Sequence, residues 1–265
     1  MCLLGALLLI AGCSAGSGED SEESSGQGQA PDSSESSGPG SGTDAGEDAA
    51  DDAGGQGQAP ENPVSEASTN PESIHVLVNK ATPLDPQDHE PADLETVEVT
   101  QDNGGQTMRQ DAASALEDLF AAAEDDGLDL SLVSAYRAFD YQETVYDGYV
   151  EESGQEAADT FSARPGYSEH QTGLAADISF PGNADCLLRE CFGETEEGQW
   201  LAGNAAEHGF IIRYPEGDAE VTGFDYEPWH LRYLGEETAE AVDASGLTLE
   251  EYWGRPAAPD YVDNS

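Results

Sequence analysis

The regularly spaced apolar positions of this chain lie after residue 73. A continuous apolar run at residues 74–79 predicts a short strand, and apolar side chains at helical spacing predict a helix over residues 107–124. Alternating apolar and polar residues at 128–135 predict another strand. Further strands are predicted at residues 174–180, 210–214 and 227–233, and further helices at residues 141–152, 155–161, 198–208 and 236–244. Helices and short strands joined by irregular loops favour an α+β domain with a small, mainly antiparallel sheet.

The first twelve residues, MCLLGALLLIAG, are apolar but too short to span a bilayer, and they suit the core of a signal peptide. The sequence Leu9-Ile10-Ala11-Gly12-Cys13 resembles the lipobox of bacterial lipoprotein signals. That resemblance implies a lipidated Cys13 as the first mature residue, anchored to the outer face of the bacterial cell membrane. The alternative is a frayed apolar N-terminus, since no Lys or Arg precedes the apolar core.

Residues 14–73 consist mostly of Gly, Ser, Asp, Glu, Gln, Ala and Pro. A segment of this composition cannot bury enough apolar surface to offset the entropy of ordering, so we expect a disordered tether. The predicted organisation is therefore a signal peptide with its lipidated cysteine at residues 1–13, an acidic linker at 14–73 and one folded domain at 74–265.

The chain has 265 residues, of which 56 are Asp or Glu and 8 are Lys or Arg, for a formal net charge of −48. This charge argues against nucleic-acid partners, whose phosphates it would repel, and against electrostatic binding to anionic lipid. Contact with the membrane is therefore expected through the lipid anchor only, and we expect a monomer. One explanation of the acidity is a saline habitat, where ions screen the repulsion, and the alternative is a composition bias of the lineage.

Two cysteines lie inside the predicted domain, Cys186 and Cys191, with four residues between them. Outside the membrane they should be oxidised, so the sequence predicts a disulfide that closes a short loop. A metal site is the alternative, but a zinc–thiolate cluster needs two more ligands close by.

Two histidines lie in dense polar settings. His170 and Asp177 occur in Ser168-Glu169-His170-Gln171-Thr172-Gly173-Leu174-Ala175-Ala176-Asp177, and His230 occurs in Glu227-Pro228-Trp229-His230. If Gly173 permits a turn, imidazole and carboxylate meet at one point, and His230 on another strand completes the set. Three N/O ligands with an open fourth position suit a catalytic Zn²⁺, and Glu227 is placed to act as the general base.

The motif Ser-x-His-x-x-Gly-x-Ala-x-Asp, with Ser134-Ala135-Tyr136-Arg137 upstream and Glu-Pro-Trp-His downstream, resembles zinc D-alanyl-D-alanine carboxypeptidases of the VanY type. The resemblance covers residues 76–235. It implies that His170, Asp177 and His230 are the ligands of one zinc ion. It further implies that Glu227 is the catalytic base and later the acid that protonates the leaving amine.

The same resemblance implies that Arg137 faces substrate oxygens and the charge that develops at the scissile carbonyl. It also makes Gln142 and Ser168 substrate contacts. The alternatives are a structural salt bridge for Arg137, because its planar guanidinium pairs readily with carboxylates, and ordinary helix and turn positions for the other two residues.

The function that the resemblance implies is hydrolysis of the D-Ala–D-Ala bond at the end of a peptidoglycan stem peptide, with release of D-Ala. An endopeptidase on the same scaffold is one alternative. A non-catalytic wall-binding lipoprotein is another, and the presence of Glu227 disfavours it because a binding module does not need a base.

Overall fold

The computed structural model describes residues 59–262. Its strands are β1 (Leu94–Thr96), β2 (Thr107–Arg109), β3 (Ser131–Ser134), β4 (Ala175–Ser179), β5 (Phe210–Tyr214) and β6 (Glu227–Tyr233). Its helices are α1 (Gln110–Asp125), α2 (Phe139–Ser153), α3 (Gln155–Phe161), α4 (Glu196–Asn204), α5 (Ala219–Thr222), α6 (Glu236–Ser245) and α7 (Leu249–Tyr252). Among these residues no helix is long and apolar enough to cross a membrane.

The central sheet has four strands in the order β3-β4-β6-β5, and every neighbouring pair is antiparallel. A separate two-stranded antiparallel sheet is formed by β1 and β2. The predicted α+β class with a small antiparallel sheet is therefore confirmed. β4 and β6 are the inner strands, and all five residues of β4 are buried.

The core consists of two clusters of buried apolar side chains. The larger cluster contains the buried face of α1, including Leu116 and Leu119, together with Ile178 of β4 and Phe210 of β5. The smaller cluster contains side chains of α6 and α7 with Ile211 of β5. Because neighbouring residues of a strand point to opposite faces, β5 contributes to both clusters. The sheet that carries the site is thus covered by helices on either side.

Residues 74–79 do not form the predicted strand. Val76 pairs with Ser68 and Asn79 pairs with Thr82 in isolated bridges only. The apolar side chains are nevertheless buried, since Val76, Leu77 and Val78 are at most 5% exposed. The apolar run therefore predicts burial correctly, but its backbone pairs only through isolated bridges and not with a continuous strand. The predicted helix at 107–124 also begins later, because Thr107–Arg109 is β2.

The folded region begins before the predicted boundary at residue 74. The backbone N–H of Val64 donates to the hydroxyl of Tyr252 at 2.9 Å, and Trp253 Nε1 donates to the Ser65 hydroxyl at 3.0 Å. Composition did not reveal this docking because the aromatic partners are supplied from the other end of the chain. The predictions for the signal peptide, for Cys13 and for the tether up to residue 58 lie outside the described residues.

Candidate active site

Two of the candidate metal ligands lie opposite each other in the central sheet. Asp177 of β4 and His230 of β6 are direct cross-strand partners. Directly opposed residues project from the same face with their Cβ atoms about 5 Å apart. His230 Nδ1 accordingly lies 3.1 Å from Asp177 Oδ1. The register of two inner strands therefore brings these two side chains together.

His170 reaches the same point from a 3₁₀ turn, Glu169–Thr172, that precedes β4. Its Nε2 lies 3.2 Å from Asp177 Oδ2. The turn ends at Gly173, where φ is +69° and an added Cβ would lie 3.0 Å from side-chain carbons of β1 and β2. Both the positive φ and the lack of space favour glycine at this position. The predicted role of Gly173 in this turn is confirmed.

The candidate ligand atoms converge on one point. One atom each from His170, Asp177 and His230 lies within 4.8 Å of the others, and all three residues are buried. His170 Nδ1 is 2.7 Å from the carbonyl oxygen of Ala135. Because a carbonyl oxygen can only accept, Nδ1 carries the proton and Nε2 presents its lone pair to the centre.

Glu169 orients the second histidine. Its Oε2 lies 3.4 Å from His230 Nε2. Burial opposes ionisation of Glu169, but Arg232 and Arg213 outweigh it and hold the pKa of this carboxyl well below its usual range. The ionised carboxylate accepts the Nε2 proton, which leaves Nδ1 of His230 for a metal. Such carboxylate partners fix the ring orientation of metal-binding histidines.

Glu169 belongs to a buried charge cluster that also contains Arg213, Arg232 and Glu250. Glu169 Oε1 accepts hydrogen bonds from Arg213 at 2.8 Å and from Arg232 at 2.7 Å. Arg213 in turn donates two hydrogen bonds to Glu250 of α7, at 2.9 and 2.6 Å. None of the four side chains is more than 2% exposed. Charges this deeply buried are tolerated only when each is paired, so the cluster acts as one unit.

Sequence reasoning missed the buried charge cluster. The available signal was the position of Arg213 and Arg232 inside predicted strands, where a fully buried charge is almost always paired. No local pattern identifies Glu250 as a partner, because it lies 37 residues from Arg213.

Glu227, the first residue of β6, lies beside the ligand set. Its Oε2 is 3.7 Å from His230 Nδ1, and the residue is 7% exposed. Burial raises the pKa of Glu227 to about 8, and the positive charge of His230 opposes the shift only in part. A carboxyl group with a pKa near neutrality can both take up and return a proton under physiological conditions.

A cavity of about 200 Å³ opens over the ligand set, and Arg137, Ser168 and Glu227 line it. The Nε atom of Arg137 is buried and has no hydrogen-bond partner within residues 59–262. No carboxylate in that part of the chain forms an ion pair with Arg137 either. The alternative of a structural salt bridge is therefore not observed there, and the guanidinium remains available to a ligand.

Gln142 does not line the cavity, contrary to the prediction of a substrate contact. It is fully buried in α2, and its Nε2 donates to the carbonyl oxygen of Ala163 at 2.7 Å. Ala163 does line the cavity. Gln142 thus supports the cavity wall from behind, because the helix face that carries it packs inward.

Cys186 and Cys191 form a disulfide, as predicted, in the loop that follows β4. Leu188 of this loop lines the cavity together with Phe161 and Trp229. Trp229 alternates along β6 with the buried Pro228 and His230 and is only partly buried. The mouth of the cavity is therefore apolar, whereas its floor carries the charged and metal-binding groups.

The VanY family model, described as D-alanyl-D-alanine carboxypeptidase, matches residues 105–236, which include the cavity residues from Arg137 to His230. A relative from Bacillus subtilis (strain 168), YodJ, is 45% identical over 192 residues. The match covers 71% of this chain and 70% of that relative. The chain belongs to the VanY family.

Two solved structures resemble this VanY-family chain. The LdcB LD-carboxypeptidase is 41% identical with a TM-score of 0.66, and the match covers 76% of this chain and 94% of that one. A mutant of the vancomycin resistance D,D-pentapeptidase VanY, solved with Zn(II), is 36% identical with a TM-score of 0.58. That match covers 68% of this chain and 98% of that one.

The protein is a zinc metallopeptidase, and its own residues fit the metal. Two imidazole nitrogens and one carboxylate oxygen are a usual donor set for catalytic zinc, with the fourth position left to water or substrate. The far nitrogen of each imidazole is already paired, with Ala135 and with Glu169, as ligand histidines require. The surrounding carboxylates also stabilise positive charge at this point, since they outweigh burial and raise the pKa of His230 to about 9.

Proposed function

We propose that this protein hydrolyses the terminal D-Ala–D-Ala bond of peptidoglycan stem peptides and releases D-Ala. The observation that carries the proposal is the placement of Glu227, 3.7 Å from His230 Nδ1, in the same cavity as Arg137, which forms no ion pair within residues 59–262. A base beside the metal ligands and a cation facing them form the constellation that carboxypeptidase chemistry needs.

His170, Asp177 and His230 would hold the zinc. When bound, zinc polarises a carbonyl group and lowers the pKa of a water to roughly 7. The Glu227 carboxylate accepts the proton that the attacking water loses. It then delivers this proton to the nitrogen of the departing D-Ala as the C–N bond breaks, so the base is regenerated.

Arg137 supplies the positive charge that the substrate needs. Of residues 59–262 it is the single arginine that lines the cavity, and no lysine of that range lines it. Its planar guanidinium can pair with the C-terminal carboxylate and with negative charge that develops on the carbonyl oxygen. Ser168, which is 2% exposed at the cavity wall, adds a hydroxyl group to the same region.

A second candidate function is cleavage of the bond between an L-residue and a terminal D-Ala. The observation that favours it is the likeness to the LdcB LD-carboxypeptidase, which exceeds the likeness to the D,D-pentapeptidase in both identity and TM-score. The two reactions use the same chemistry and differ in the residue on the amino side of the scissile bond. The endopeptidase alternative, which would cut inside a cross-link, stays a prediction from the sequence.

The first experiment measures D-Ala release by the full-length, zinc-loaded protein from a pentapeptide ending in D-Ala-D-Ala and from the matching tetrapeptide. Glu227→Ala should retain zinc and lower turnover about 10²- to 10⁴-fold, because the general base is lost. Glu220→Ala, at an exposed position of α5, is the matched control. Chelation of the metal should abolish activity.

Release from the pentapeptide alone supports the D,D reaction, and release from the tetrapeptide alone supports the L,D reaction. If neither peptide yields D-Ala while zinc is bound, the carboxypeptidase proposal is wrong. Cross-linked peptidoglycan then distinguishes an endopeptidase from an enzyme with another substrate.

We also propose that lipid attached to Cys13 anchors the enzyme outside the cell membrane and that residues 14–58 tether it. Support comes from the lipobox-like pattern and from the Gly- and Ser-rich acidic composition. Cys13→Ala should move the protein from the membrane fraction to the soluble fraction of the producing cells. Cys2→Ala should leave the distribution unchanged, and retention of the Cys13 variant in the membrane would contradict the anchor.

A further inference from the structure

The catalytic cavity continues into a second compartment. This neighbouring space has a volume of about 370 Å³. The two spaces share four lining residues: Phe161, Leu188, Glu227 and Trp229. A substrate whose scissile bond lies beside Glu227 therefore borders both compartments, and one side of the substrate must point toward the second.

Leu188 stands between the two compartments in an unusual backbone conformation. Within residues 59–262 it is the single non-glycine residue with positive φ, at 49°. The left-handed region is disfavoured for a side chain such as leucine, and it persists where the surroundings enforce it. Here the Cys186–Cys191 disulfide closes the loop, and Cys186 N–H donates to Asn183 at 3.0 Å. The loop thus presents Leu188 at the boundary of the compartments.

The mouth of the cleft carries exposed apolar side chains on an acidic surface. Seven large apolar side chains are exposed within residues 59–262, and three of them line the catalytic cavity: Tyr149, Phe161 and Leu188. The rings of Tyr149 and Phe161 pack edge to face with centroids 5.1 Å apart. Exposed apolar side chains that cluster at one place usually mark a binding surface.

The charges of the second compartment differ from those of the first. Arg189 lines it from the disulfide loop, and the acidic residues Glu190 and Asp225 line it as well. The catalytic cavity has its own arginine, Arg137, for the C-terminal carboxylate of the substrate. The part of the substrate on the amino side of the scissile bond is therefore left for the compartment that holds Arg189.

We propose that the disulfide loop is a specificity element, and that the second compartment binds the side chain of the diamino acid in the stem peptide. This inference rests on the proposed function. Leu188 and Trp229 contact the aliphatic part of that side chain. Its zwitterionic end, an ammonium with a carboxylate as in diaminopimelate, pairs with Asp225 or Glu190 and with Arg189. A lysine side chain offers the ammonium only, so it pairs with the acidic residues alone.

The test uses four pentapeptides that differ only at the third residue, which is meso-diaminopimelate, lysine, norleucine or alanine. The full-length, zinc-loaded protein is compared with Arg189→Gln by kcat/KM for D-Ala release. We expect the diaminopimelate peptide to exceed the lysine peptide by about two- to five-fold, the range of an exposed ion pair. Arg189→Gln should lower kcat/KM for the diaminopimelate peptide to that of the lysine peptide and so remove this preference.

Arg255→Gln is the matched control, because Arg255 is exposed and lies outside both compartments. Leu188→Gly, which suits a positive φ, should lower kcat/KM for the three long side chains relative to alanine. Equal rates for all four peptides, or a diaminopimelate preference that survives Arg189→Gln, would overturn the proposal. If no peptide is cleaved, the proposed function fails. Equilibrium binding of the same four peptides then tests the compartment separately. The diaminopimelate peptide should bind more tightly than the lysine peptide, and the alanine peptide should bind most weakly.

Discussion

Glu169 shows at the scale of one residue how the metal site depends on groups that never touch the metal. Its two carboxylate oxygens serve different partners, since Oε2 faces His230 and Oε1 accepts from two arginines. The arginines keep the carboxyl ionised in spite of complete burial, and the ionised carboxyl fixes the tautomer of the histidine. The buried arginines thus determine, through Glu169, which nitrogen of His230 faces the metal.

Glu169→Gln should weaken zinc binding about 10- to 100-fold, because a neutral amide holds the His230 tautomer less firmly. It should also lower the free energy of unfolding by about 3 kcal/mol, since two buried arginines lose a charged partner. Zinc affinity is measured by competition with a chelator, and stability by denaturant unfolding of the metal-free protein.

Glu250→Gln is the control for this prediction. It breaks the same buried charge cluster at Arg213 but does not contact His230. We expect a similar loss of stability with little change in zinc affinity. Equal losses of zinc affinity in the two variants would show that Glu169 acts through stability alone.

At the scale of elements, Asp159 joins α3 to α2 and to the segment that leads into the site. Its Oδ1 accepts from Tyr146 of α2 at 2.7 Å, and its Oδ2 accepts from Arg164 at 2.7 Å. Arg164 also stacks on Tyr261, 4.0 Å from the ring centroid, near the C-terminus. These contacts hold Phe161 and Ala163 where they line the catalytic cavity.

Asp159→Asn should lower the free energy of unfolding by about 1 kcal/mol at neutral pH, the upper end for a partly exposed pair. Burial alone would raise the pKa of Asp159, but hydrogen bonds from Arg164 and Tyr146 outweigh it and lower the pKa. The folded state therefore binds a proton less readily than the unfolded chain. The stabilisation is complete at pH values above the ordinary aspartate pKa of 3.8, and it disappears as the pH falls below that pKa.

The measurement is denaturant unfolding of the metal-free protein and its Asp159→Asn variant between pH 3 and pH 7. The difference between them should be constant above about pH 5 and shrink toward pH 3. Asp147→Asn, on the exposed face of α2, should show no such difference. If the difference in stability grew on acidification, the pKa of Asp159 would be raised by folding and not lowered.

At the scale of the whole molecule, negative charge dominates the surface. Residues 74–265 contain 42 of the 56 acidic residues and all 8 basic ones. Within residues 59–262 the arginine ion pairs use only four carboxylates: Asp93, Asp159, Glu169 and Glu250. Two of these four lie in the buried charge cluster, so most surface carboxylates repel one another without compensation.

The melting temperature should therefore rise by several degrees between about 0.05 and 1 M NaCl, because the Debye length falls from above 10 Å to about 3 Å. A variant with Glu143→Gln, Asp147→Asn and Glu151→Gln on the exposed face of α2 should melt higher at low salt and respond less to NaCl. Scanning calorimetry measures both effects. If NaCl raised the melting temperature equally in the two proteins, the cause would be exclusion of salt from the protein surface and not screening of the carboxylate charges.

Much of the site could be predicted from the sequence because the chemistry lies in short motifs. His170, Asp177, His230, Glu227 and the disulfide pair lie within such motifs, and the structure brings the first four together. β5 and β6 have the predicted bounds. Local spacing joined His170 to Asp177 and Glu227 to His230, and the family resemblance joined the two pairs.

The tertiary structure alone decided what depends on distant partners. It put Gln142 behind the cavity wall, added residues before 74 to the folded region and paired Arg213 with Glu250. It also placed Leu188 between two compartments. Residue types and their spacing determine which groups can react or bind. Which of them face each other depends on strand register and on packing between elements, because those set the distances across the sheet and between chain ends.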